Sequence, residues 1–161
     1  MKFLKTIRFD ASDTHVFDKA AGTDEWAVPG GFAFTGLSES ALTGKRKQAF
    51  SNGFLSLETF GHSTFTCVAE VSADKVEALI QGLARHFVDH YGAPSLEEAV
   101  PAATGEVNFV LELCRELPIN SVFTLRRFFE ETGAIREEFR TVDPPGEKLH
   151  ARIWDVVEDQ Q

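Results

Sequence analysis

The period of the polarity pattern changes several times along the chain. Residues 2–10 alternate, with Phe3, Ile7 and Phe9 on one face and Lys5 as the exception, and predict a strand. Residues 14–18 predict a second short strand. Residues 25–28 and 32–35 flank Pro29-Gly30-Gly31, which predicts two short strands around a turn, or one strand with a wide bulge. Residues 39–52 predict a short helix with Ser38 as N-cap and Gly53 as its stop. Leu42, Ala49 and Phe50 would share its buried face. Residues 54–60 and 63–71 alternate again. Gly61-His62 between them predicts a hairpin with a type II′ turn, because glycine takes a positive φ at little cost.

The helical period is clearest in residues 73–91. Val76, Leu79, Ile80, Leu83, Phe87 and Tyr91 form one stripe, Ser72 caps it and Gly92 ends it. Ser95-Leu96-Glu97-Glu98 reads as a capping box. Pro101 is expected to break or kink this second helix after about one turn. The period resumes over 105–117 with Val107, Val110, Leu111, Cys114 and Leu117 on one face, and Pro118 stops it. Residues 121–130, 135–142 and 149–157 then predict a three-strand antiparallel meander, turning at Thr132-Gly133 and at residues 143–146. Arg127 and Glu137 interrupt apolar series there. Either a bulge shifts the register or each sheet face is only partly covered.

Strands, short helix, hairpin, two helices and meander make an α+β fold: one antiparallel sheet packed against two main helices. A chain of 161 residues is about one domain, here residues 1–157, with 158–161 expected to fray. Fifteen phenylalanines against one tyrosine point to a Phe-rich core or, less conventionally, to a Phe-lined ligand cavity.

Charge narrows the function. The net charge of −9 argues against nucleic acid and anionic membranes as partners. The acid excess sits in residues 51–120, as expected of a solvated helical face. No apolar run is long enough for a membrane span, and the first ten residues lack the apolar stretch of a secretory signal, so the expected location is the cytoplasm. Cys67 and Cys114 stand far apart without a CxxC, which predicts buried free thiols and no zinc knuckle.

Few motifs carry chemistry. Residues 61–65 resemble half of a nucleophile elbow around Ser63, but Phe65 replaces the second glycine and a strand follows where a helix is needed. Thr43-Gly44-Lys45 lacks the remaining P-loop residues. Lys45-Arg46-Lys47 is the one run of three basic residues, a solvated surface or a contact for an anion or an acidic partner. His86 and His90 lie four apart on the predicted helix, with His90 placed inside the apolar stripe and His86 at its edge. They could polarise a site together with His62, or simply favour a helix C-terminus. A metal would need a third ligand that no local motif supplies, so neither metal nor cofactor is expected. Arg127 with Glu137 or Glu138 is either a buried ion pair or a weak cross-strand surface pair.

Four stretches carry a resemblance that spans nearly the whole chain: LKTIRFDASDTHVF from Leu4, EWAVPGGFAF from Glu25, LTGKRKQAFSNGF from Leu42 and IREEFRTV from Ile135. In these the sequence resembles a family of small uncharacterised bacterial proteins. The resemblance implies a bacterial, cytoplasmic, single-domain protein and transfers no site residues. The leading expectation is a non-enzymatic accessory or interaction protein. The alternative is a small enzyme or ligand-binding domain with a Phe-lined pocket polarised by His86 or His90. A homodimer is expected, with the 149–157 strand or its neighbouring helices in contact and Trp154 as the candidate interface residue.

Overall fold

The computed structural model describes residues 1–142 and 153–157. Among the described residues eight strands form one sheet, each paired antiparallel with its neighbours. In chain order they are β1 (Lys2–Ile7), β2 (Trp26–Val28), β3 (Phe54–Ser56), β4 (His62–Ser63), β5 (Phe65–Glu70), β6 (Val122–Phe129), β7 (Ile135–Val142) and β8 (Ile153–Val157). In space they run β4-β3-β2-β1-β5-β6-β7-β8. The helices are α1 (Asp13–Val16), α2 (Gly44–Asn52), α3 (Ala73–His90) and α4 (Leu96–Cys114).

The sheet curls. Four strands separate β3 from β7, which in a flat sheet is roughly 24 Å at the usual strand spacing. Yet the rings of Phe54 and Phe139 are 6.5 Å apart. The register places Phe54, Leu4, Val68, Phe123, Leu125 and Phe139 on the same face, which is therefore the concave one. α3 and α4 pack on each other, α4 crosses β1 and β2, and its Phe109 reaches Phe139. A smaller apolar cluster of Phe17, Phe34, Leu42, Ala49, Phe50 and Ile135 lies where α2 meets β6. Among the described residues, no helix is long and apolar enough to cross a membrane.

The α+β fold with one antiparallel sheet and two main helices is as the sequence predicts. Ser72 and Ser95 accept hydrogen bonds from Lys75 N and Glu98 N, so both predicted caps are made. The meander pairs without a bulge, and the polarity puzzle has a third answer. Arg127 and Glu137 are direct cross-strand partners on the covered face, with side chains 0% and 2% exposed. The turn at 143–146 and residues 149–152, where the meander's last strand is predicted to begin, lie outside the described residues, as do 158–161.

Other expectations are corrected. Residues 14–18 begin in α1 because Asp13, buried, accepts from Thr64 N and Thr64 Oγ1, and this contact across the fold overrides strand propensity. Of the two strands around Pro29 only β2 forms. Gly30 is left-handed (φ 81°) and turns the chain into a 3₁₀ turn, Gly31–Phe34. A side chain at Gly30 would also meet Leu55 Cβ at 2.6 Å. The 39–52 helix is split. Glu39–Ala41 is a 3₁₀ turn, and α2 starts after Thr43, with Gly44 at φ 58° marking the break. The 54–71 hairpin is really β3 with β4, while β5 pairs with β1 and β6. Pro101 neither breaks nor stops α4. It stands one turn in, where its missing N–H frees only one carbonyl, and it is exposed to water.

Candidate functional site

The site is built where two distant segments zip together. His62 N donates to Lys19 O at 2.8 Å, and Ala21 N donates to His62 O at 2.8 Å. Gly61 permits this approach, because a Cβ there would lie 2.7 Å from the Ala20 and Ala21 backbone. The positive φ expected of Gly61 belongs instead to Phe60, at 58°. A bulky aromatic residue rarely adopts that conformation and is held in it by its surroundings. Glu25 fixes the same loop. Its carboxylate accepts from Ser56 Oγ (2.7 Å), Thr59 Oγ1 (2.6 Å) and Gly22 N (2.6 Å). Burial alone would raise its pKa, but these bonds and the charge of Arg8 hold it below the usual value.

α2 and the 31–34 turn close over this loop and leave a cleft of about 230 Å³. Lys19, Lys45 and Arg46 stand exposed at its rim with Asp18, and Phe34, Phe60, Ala49 and His62 form its apolar floor. Three cations against one carboxylate make it a cationic spot on an acidic chain. Lys19 Nζ donates to Thr59 O, which holds that ammonium beside the Phe60 loop. His62 is pushed down to about 4, first by burial and then by the charge of Arg127, so its imidazole is neutral at pH 7. It presents one N–H and one lone pair.

Behind the floor lies the buried Arg127. Its Nε and Nη2 donate to Glu137 Oε2 at 3.0 and 2.8 Å, Nη1 to Phe50 O at 2.7 Å and Nη2 to Pro29 O at 2.8 Å. The guanidinium lies 5.5 Å from the centre of the Phe34 ring. Glu106 of α4 faces this pair. Burial and the Glu137 charge, opposed by Arg127, push its carboxyl up to about 7.

The structure separates some of the candidates and joins others. His62, Lys45 and Arg46 share the cleft. Lys47 points elsewhere, into a pocket of about 140 Å³ with Glu39, Leu42 and Phe128. His86 and His90 have ring centres 4.8 Å apart. Their burial is the reverse of the wheel arithmetic: His90 is exposed at the last residue of α3, beyond the packed stripe, and His86 is half-buried. His86 stacks on Phe60, with centres 3.7 Å apart and planes 5° apart, so it backs the cleft without lining it. Burial first, then His90 and Lys19, lower its pKa against the pull of Asp89. No group of three metal-ligating side chains occurs among the described residues. Cys114 is buried, with its thiol pushed up to about 12, whereas Cys67 is only half-buried. Lys19, Phe34 and Phe60 carry no local motif, and only the fold reveals them. Arg127 did leave a signal, as a charge inside an apolar series.

A model of a family described as a family of unknown function, DUF6505, matches residues 1–157. No curated protein and no solved structure matches the chain.

Proposed function

The chain belongs to DUF6505, and because that membership assigns no activity we propose from the site alone that it is a binding protein for a small organic anion. The observation that carries this reading is the union of Lys19, Lys45 and Arg46 with a floor of Phe34, Phe60 and neutral His62 in one cleft. Charge-assisted bonds from Lys45 and Arg46 would hold a carboxylate or phosphate. The rings would take the apolar part of the ligand, and His62 would add one hydrogen bond. At about 30 Å³ per water the cleft matches a single ring bearing one acidic group. The role that fits is an accessory one in the bacterial cytoplasm.

Calorimetry with benzoate, and with benzylamine as a cation of similar shape, tests this. Benzoate should bind at millimolar concentrations or below and benzylamine should not. A Lys45→Ala/Arg46→Ala variant should lose about a hundredfold in affinity, the worth of two charge-assisted bonds. Equal behaviour of the two compounds would contradict the reading.

A second reading rests on β8, which ends the sheet order among the described residues. A free strand edge pairs readily with another. We propose a homodimer joined through β8.

A further inference from the structure

The walls of the cleft share one anchor. Phe50 belongs to α2, the helix that carries Lys45, Arg46 and Ala49. Pro29 leads into the turn that carries Ala33 and Phe34. Arg127 donates to the backbone carbonyls of both Phe50 and Pro29, and Glu137 holds it from β7. Its guanidinium also lies near the faces of Phe34 and Phe50, at 5.5 and 5.9 Å.

Besides Arg127, α2 is anchored by Ala49 and Phe50, which are buried in the smaller apolar cluster, with Phe50 stacked on Phe129. Nine residues are too few for a helix to persist on its own in water. Thr43 at its N-cap makes no side-chain capping bond. A buried ion pair is a poor device for stability, because apolar residues of similar volume often do as well or better. What apolar residues cannot do is donate along several fixed directions from one planar group, as a guanidinium does.

Resting on the anion-binding reading above, we propose that Arg127 is a positioning residue of the cleft: it holds α2 and the 29–34 turn at the separation that brings Lys45 and Arg46 over Phe34. It touches no ligand. Glu137 serves it by orienting two of its donors.

The test uses three variants of the full chain. Arg127→Gln/Glu137→Gln removes both charges together, leaves no unpaired ion and should fold. Glu137→Gln alone keeps an acceptor oxygen for Arg127 and both carbonyl bonds. Arg127→Lys keeps the charge but loses the fork. Two readouts are taken: hydrogen exchange of the α2 amides without ligand, and benzoate affinity. The double variant and Arg127→Lys should each exchange the α2 amides about tenfold faster and bind benzoate about tenfold more weakly, while α3 and α4 keep their protection. Glu137→Gln leaves the buried Arg127 without its counter-ion and should lower global stability, yet its benzoate affinity should stay within about threefold of wild type. A merely structural role would lower global stability in all three and leave benzoate affinity alone. Wild-type α2 exchange and affinity in the double variant would overturn the proposal while the binding reading stands. Failure of the wild type to take benzoate would overturn the binding reading and the role assigned to Arg127 together.

Discussion

Two half-buried titrating groups feel the charge of Arg127, and their effects on stability run in opposite directions. Glu106 titrates near 7 in the folded chain against an ordinary 4.5, because burial and Glu137 disfavour its anion. A raised carboxyl contributes stability that is complete below pH 4.5 and is lost as pH rises through about 7. His62 is the mirror case. Its folded value near 4 lies below the ordinary 6.5, so its contribution is complete above pH 6.5 and is lost as pH falls through about 4. Between pH 4.5 and 6.5 the two partly cancel. Glu106→Gln should therefore match wild type at pH 4 and be more stable at pH 8 by about 2 kcal/mol, allowing for partial solvent exposure. Denaturation in urea at the two pH values checks this, and an equal difference at both would refute the assignment. Of these groups the sequence marked His62, as a polar candidate, and Arg127, as a charge in an apolar series. Glu106 was invisible. It precedes the buried Val107 in a helix already rich in acids, and only the approach of β7 sets it apart.

Among the elements, legibility followed how local the determinants are. α3 and α4 carry their own period, caps and stops, and both formed from the predicted serines. Ser95 Oγ accepts from Glu98 N at 3.2 Å, so Ser95→Ala should cost about 1 kcal/mol, seen as a lower urea midpoint. An unchanged midpoint would mean that the cap contributes nothing. The segments around the cleft were read less well, because contacts from far along the chain decide them. Thr64 draws Asp13 into α1, and Lys19 and Ala21 pull His62 out of a simple hairpin into β4. Gly30 turns the chain where Pro29-Gly30-Gly31 suggested a turn, but into a 3₁₀ turn and not a second strand, and the left-handed Gly44 breaks the helix expected over 39–52. The cleft is built from these non-local pieces, which is why its residues did not announce themselves as a motif.

At the scale of the whole molecule, strand order and curl decide what the chain can bind. Alternation fixes which residues share a face, and the α+β class follows from it. It does not say that the sheet bends until the rings of Phe54 and Phe139 are 6.5 Å apart, or that α2 packs against β6. The dimer proposed through β8 belongs to this scale too. Sedimentation at micromolar concentration should show a species near twice 17.8 kDa, and a species at 17.8 kDa would exclude that dimer. The central claim concerns the cleft, and the most direct measurement is a residue-resolved NMR titration of the amide signals with benzoate. Saturable shifts concentrated at Lys19, Phe34, Lys45, Arg46, Ala49 and His62, and absent with benzylamine, are the predicted result. Shifts scattered over the surface, or equal for the two compounds, would contradict the account.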